Sequence, residues 1–315
     1  MIYMDSRSTD PYYNLAFEEY LFRSFPGEDL FLLWRNSPCM VVGSYQNICR
    51  ETRPARLRRL GIPTLRRISG GGAVYHDLGN VNYSFITRQE GGTDYDRSLA
   101  PILAALNAIG VPARKRRTCD IAIGEEKISG SAQRAAGGRL LHHGTLLFDA
   151  DLTALEEISV RGKGEHVQTK GTQSAICAVT NIRQHLEEDA TVEDFCRQLL
   201  DNMVPDPSDR LELTAAQEAE VRRLAEEKYR SWEWTWGRTP AFTCKRSGTF
   251  AGKSIFIAYQ AKKGIVSDAR IESHAINGPL AASLLNGARL DPEGFAAICR
   301  ELAGDQEEEL LELLL

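Results

Sequence analysis

The chain has 315 residues, 43% of them hydrophobic and 26% charged, and a formal net charge of −5. That length holds one large core or two unequal ones, and the composition is that of a soluble globular protein without the bulk positive charge of a nucleic-acid binder. No apolar run approaches the roughly 18–20 residues of a membrane span, and the first seven residues lack the apolar stretch of a secretory signal.

Seven cysteines (Cys39, Cys49, Cys119, Cys177, Cys196, Cys244 and Cys299) are scattered, with no Cys-x-x-Cys pair. An odd, unpatterned set implies reduced thiols in the cytoplasm, not a disulfide frame or a zinc site. The adjacent His142 and His143 would point to opposite faces of a strand.

Thr9-Asp10-Pro11 predicts a helix start, with a capping side chain followed by a first-turn proline, running to about residue 22. Strands are expected over 31–34 and 40–43, and an arginine-rich helix over 51–60, stopped by Gly61. Further strands fall at 65–68, 73–75 and 81–87, and an amphipathic helix over 98–109 ends at Gly110. A β-hairpin is expected from 120–123 and 127–132, with a strand over 140–148. Helices follow at 152–158, 191–203 and 214–229. The Gly- and Lys-rich segment 161–173 has no periodicity and reads as a long functional loop, a candidate lid. Beyond the tryptophan-rich segment 231–240 come strands at 248–250, 254–260 and 265–271, then helices at 279–285 and 292–302. The order lacks steady βαβα alternation, which predicts an α+β fold with mixed or antiparallel sheets. It divides into a large domain over 1–243 and a small α+β one over 247–315.

The charge is uneven. Arg50, Arg53, Arg56, Arg58, Arg59, Arg66 and Arg67 crowd 50–67, a second basic run is Arg114-Lys115-Arg116-Arg117, and the C-terminal end is acidic. A charge run of this kind is a solvated helix face or a surface that steers an acidic partner.

The segment Arg66-Arg67-Ile68-Ser69-Gly70-Gly71-Gly72-Ala73-Val74-Tyr75-His76-Asp77-Leu78-Gly79-Asn80 is the most informative. Three missing side chains let a ligand approach the main chain, and consecutive amides beside an arginine form an anion nest. The glycines lie between strands, so they match neither the Walker A loop nor the dinucleotide fingerprint, which both open a helix. Alone, they would be a flexible hairpin turn. Lys127-Ile128-Ser129-Gly130-Ser131-Ala132 is the second candidate: a lysine at a strand start, with Gly130 leaving room for a ligand.

At these segments the chain resembles the lipoate–protein ligase family. His142-His143-Gly144-Thr145-Leu146-Leu147, Lys170-Gly171, Val179-Thr180-Asn181-Ile182 and Ser231-Trp232-Glu233-Trp234 extend the match in the same order. The resemblance implies a biotin-ligase-like catalytic domain with a small C-terminal one. It also implies ATP-dependent conversion of lipoate (or octanoate) to an acyl-adenylate, followed by transfer to a lysine of a lipoyl domain or a glycine-cleavage H-type protein. By the same resemblance Arg67, Gly72, Ala73, Val74, Tyr75 and Lys127 would bind ATP. Ser69, Gly70, Gly71, His76, Lys127, His143 and Gly144 would hold lipoate. Lys127 would be catalytic, and Asp120 would help hold Mg2+. Fixed cations are what the first step needs, because carboxylate and α-phosphate are both anionic. A lid over 161–173 would keep water from the adenylate.

The chain departs from the family where Arg117-Thr118-Cys119-Asp120 replaces the usual Gly-Arg-Asn-Asp, and where Ile176 and Ala178 replace two arginines. Cys119 therefore supports a rival reading as the nucleophile of an ATP-independent lipoyl or octanoyl transferase, its thiol pKa lowered by Arg116, Arg117 and Lys127. A degenerate, non-catalytic lipoyl-domain binder is the second rival.

Overall fold

The computed structural model describes residues 1–315 apart from 26, 90, 91, 161–165, 176 and 188. Strand β1 (Ile2–Met4) leads to helix α1 (Pro11–Ser24), where Asp10 accepts from the Tyr12 amide and Pro11 occupies the first turn. Strands β2 (Leu30–Trp34) and β3 (Cys39–Val42) are buried at every position.

Two short helices, α2 (Ile48–Glu51) and α3 (Pro54–Arg59), replace the single helix expected over 51–60. Pro54 cannot donate to a continuing ladder and disfavours a helical Arg53, so the chain breaks there and Thr52 bridges to Ser159 instead.

Strands β4 (Thr64–Arg66) and β5 (Val74–His76) flank the glycines and pair with β3, parallel and antiparallel respectively. After β6 (Asn80–Arg88), helix α4 (Tyr95–Ala108) begins three residues before the expected start because Asp94 caps it through the Arg97 amide. Strand β7 (Arg114–Arg117) was not expected, since four basic residues show no apolar alternation. Strands β8 (Asp120–Ile123) and β9 (Glu126–Ala136) form the expected hairpin, and β9, longer than expected, forms a second one with the expected strand β10 (Arg139–Leu147).

Next come α5 (Leu152–Ile158), β11 (Val167–Thr169), α6 (Val192–Met203), β12 (Arg210–Leu211) and α7 (Ala215–Leu224). Helix α7 runs on as a π-helical turn over Ala225–Tyr229, and α8 (Trp232–Thr235) follows. The C-terminal part holds β13 (Phe242–Phe250), β14 (Lys253–Lys262) and β15 (Ile265–Ser273), all longer than expected, then α9 (Gly278–Leu285), α10 (Pro292–Ala303) and α11 (Glu307–Leu314).

The eight-stranded sheet runs β12-β1-β2-β6-β10-β9-β8-β7, and β11-β13-β14-β15 make an antiparallel one. Part of the expected lid, 161–165, lies outside the described residues; its later part supplies β11 to the C-terminal sheet. One apolar cluster joins Met40, Val42 and Tyr75 near the glycine loop to Phe250, Phe295 and Leu311. Each fully buried side chain of this kind contributes about 1.5–3 kcal/mol. No described helix is long and apolar enough to cross a membrane.

The arginines of α3 do not form a free steering surface. Arg56 and Arg59 lie 2.9 and 3.1 Å from Glu157, and Arg58 pairs with Glu293, Glu307 and Glu308. The acids come from α5, α10 and the acidic start of α11, so the basic and acidic runs of the sequence neutralise each other.

Candidate active site

Both arginines before the glycines are buried, and both bind backbone carbonyls. Arg66 donates to the carbonyls of Gly43, Gln46 and Thr235, each at 2.9 Å, and the Trp234 indole donates to the Arg66 carbonyl at 2.7 Å. It thereby ties the loop after β3 to the tryptophan segment. Arg67 donates to the carbonyls of Val41 (3.2 Å), Gly70 (2.6 Å) and Gly72 (2.7 Å) and to Ser69 Oγ (3.0 Å). Burial lowers the pKa of each guanidinium to about 10, which leaves both charged at neutral pH. Arg67, expected on the ATP phosphates, thus spends nearly all its donors bracing the loop.

The braced loop is tight. Gly71 has φ +84°, and Gly43 faces its carbonyl so closely that a Cβ there would lie 2.3 Å from the oxygen. Among the described residues the amides of Gly70, Gly71 and Gly72 donate no hydrogen bond, while the Ala73 amide donates to Ser174 Oγ at 2.9 Å. Unspent amides are what an anion nest requires.

Lys127 opens β9, where its backbone bonds to Ala178 and Thr180. Its ammonium lies 2.8 Å from the buried Asp120 carboxylate of β8. Gly130 makes this possible: a Cβ there would sit 2.6 Å from Lys127 Nζ. Asp120 therefore orients the lysine. Cys119 Sγ is 3.7 Å from the same carboxylate, and burial, then Asp120, push the thiol pKa up despite Lys127. The lowered pKa expected for a nucleophilic Cys119 is thus reversed.

His143 Nε2 lies 2.6 Å from Ser69 Oγ, and Nδ1 lies 2.8 Å from Glu18 Oε1, which also accepts from the Ser84 hydroxyl at 2.6 Å. The order hydroxyl–imidazole–carboxylate is that of a nucleophile triad. Here, however, Ser69 is only 2% exposed, lies off the cavity wall and accepts from Arg67, so the chain anchors the glycine loop to α1. His76 Nδ1 is 3.0 Å from the Asn36 amide nitrogen, which leaves the proton on Nε2, and that atom has no partner among the described residues. His142 points away from His143, as expected, and packs among Tyr83, Phe85 and Tyr95.

These residues enclose a cavity of about 260 Å3. Leu15, Trp34, Val41 and Val74 give it an apolar part, and Gly71, Gly72, Lys127 and Asp120 a polar one. A second cavity of about 150 Å3 shares Ala73, Val74, Lys127, Gly130, Thr145 and Ser174 with the first. The two arms meet at Lys127. Of the expected residues, Arg67, Gly71, Gly72, Ala73, Val74, His76, Asp120, Lys127, His143 and Gly144 line the first arm, as does Cys119. Tyr75 lines only the second, and Ser69 and Gly70 lie behind the wall. Glu18, Trp34 and Ser174 were missed. A carboxylate among apolar positions of α1 was the legible signal for Glu18; Ser174 had none.

Residues 10–204 match the family model described as the lipoyl protein ligase A/B catalytic domain. The chain belongs to this family. It is 34% identical to lipoate–protein ligase LplJ of Bacillus subtilis over 283 residues, covering 86% of this chain and 84% of that one. Among solved structures it is similar to LipL1 of P. falciparum in complex with lipoate, at a TM-score of 0.65 and 22% identity, over 99% of this chain and 98% of the other. It is also similar to a lipoate–protein ligase A bound with ATP, at a TM-score of 0.60 and 22% identity, over 74% and 96%. At such identities these structures support the α+β fold. In this member Lys127 lines both cavities, and its ion-pair partner Asp120 lines the first.

Proposed function

We propose that the chain is a cytoplasmic lipoate–protein ligase with a catalytic part over 1–243 and an accessory part over 247–315. The lipoate carboxylate attacks the α-phosphorus of ATP, and the bond to the bridging oxygen breaks. Pyrophosphate leaves with that electron pair, and lipoyl-AMP remains. The amine of an acceptor lysine then attacks the acyl carbon, AMP leaves, and an amide forms with loss of the amine proton. The acceptor is a lipoyl domain or a glycine-cleavage H-type protein.

The observation that carries this reading is the pair of arms meeting at Lys127. The apolar arm suits an acyl chain. At the junction Lys127 and the unspent glycine amides face the oxygens on which charge builds in the transition state. Among the described residues Asp120 is the carboxylate beside Lys127, Glu51 lines the second arm, and no cluster of three or more His, Cys, Asp or Glu occurs. That fits Mg2+ held mainly by the nucleotide phosphates, with Asp120 as its protein ligand, where it would neutralise phosphate charge.

The test supplies the protein with lipoate, ATP and an acidic apo lipoyl domain. Pyrophosphate release and a gain of one lipoyl mass on the acceptor are expected, both reduced about 100-fold or more in Lys127→Ala. Retained turnover in that variant would contradict the assignment of Lys127. Acylation from a carrier without ATP, abolished by Cys119→Ser, would favour the transferase. Binding of the domain with neither activity would favour the degenerate binder.

A further inference from the structure

Strand β7 is the last strand of the eight-stranded sheet, and among the described residues only β8 pairs with it. Its outer edge therefore offers unpaired backbone donors and acceptors. All four of its residues are basic, and Arg114, Lys115 and Arg117 are exposed. Arg114 and Arg116 share Glu125, and Lys115 reaches Asp96, each acid lying within a few residues of the hairpin or α4. Arg117 makes no ion pair among the described residues and lines the first cavity. Two and three residues further on come Cys119 and Asp120, beside Lys127.

Charge on an exposed edge ordinarily guards against self-association. Two facts go further here. The strand ends on the cavity wall, and the second half of the proposed reaction requires a lysine from another folded chain at that wall. Resting on the ligase reading, we propose that β7 is the docking edge for the acceptor. An acidic, extended segment of the acceptor adds to the sheet alongside β7 and carries its lysine toward Lys127. Main-chain bonds supply the register, and Arg117, the basic residue of β7 without an ion pair among the described residues, supplies the preference for acid.

Amide hydrogen exchange with an acidic apo lipoyl domain in excess reads this without catalysis. Slowed exchange over 114–117 is expected; unchanged exchange there, with the domain bound, overturns the proposal. The second arm uses Arg114→Glu combined with Lys115→Glu and measures the two half-reactions separately. Lipoate-dependent ATP–pyrophosphate exchange should stay within about twofold of wild type, which also reports an intact fold, while KM for the apo domain rises about tenfold and kcat changes little. Unchanged acceptor KM, with or without new self-association, overturns the proposal and leaves β7 as a guarded edge. Loss of pyrophosphate exchange in the wild type would instead remove the ligase reading, while protection over 114–117 would still establish the docking edge.

Discussion

His76 and His142 are 3% and 1% exposed, and burial pushes the pKa of each from the ordinary 6.5 down to about 3, with the neighbouring charges of Arg67 and His143 adding to it for His76 and His143 for His142. Between those values the unfolded chain binds protons that the native chain does not. Stability is therefore full above about pH 6.5 and falls with pH by about 1.4 kcal/mol per unit for each histidine. His142→Gln removes one of these protons, so its urea midpoint should fall less steeply than wild type between pH 6.5 and 4.5; parallel curves would contradict the burial account. The Glu18–His143–Ser69 chain makes a second residue-scale prediction. Ser69→Ala cuts the link from His143 to the glycine loop, and with it one of Arg67's bonds, and should slow pyrophosphate exchange about tenfold while costing about 1 kcal/mol of stability. Unchanged exchange would show that the loop holds its shape through Arg67's bonds to the backbone carbonyls. Lys127 was picked out in the sequence by the small residues that follow it, and His143 by the resemblance alone. Trp34 was not, because a tryptophan in a buried strand looks like any core residue.

The helices and strands that apolar periodicity could mark were found near their true bounds, as with α1, β6 and β10. Elements set by charge or by proline were not. Strand β7 has no alternation to read, and the break between α2 and α3 depends on Pro54 together with a partner, Ser159, more than a hundred residues away. The basic run of α3 was read as open to a partner because its acids are distant in sequence. Arg58, with its side chain 20% exposed among Glu293, Glu307 and Glu308, is the centre of that contact. Single surface pairs contribute little, but one arginine shared by three acids anchors α10 and α11 to α3. Arg58→Ala should lower Tm by about 2 °C at low ionic strength and by less at high salt. A loss independent of salt would mean that the side chain acts through packing.

At the scale of the molecule, the α+β class followed from the order of elements, and the family from segments spread between residues 66 and 234. The division of labour within the site was not legible. The resemblance placed Arg67 on the ATP phosphates, whereas folding sets its guanidinium, like that of Arg66, on backbone carbonyls, and the proposed reading gives the substrate to Lys127 and the glycine amides instead. Nor could sequence tell that Cys119 shares a wall with Lys127 yet has its thiol pKa raised. These two residues separate the central claim from its main rival. The direct measurement is to incubate the protein with lipoate and ATP labelled in the α-phosphate, without acceptor, and pass it through gel filtration. One labelled, non-covalent lipoyl-adenylate should stay with each chain, persist in Cys119→Ser and be absent in Lys127→Ala. No retained label, or a covalent acyl group on Cys119, would contradict the account.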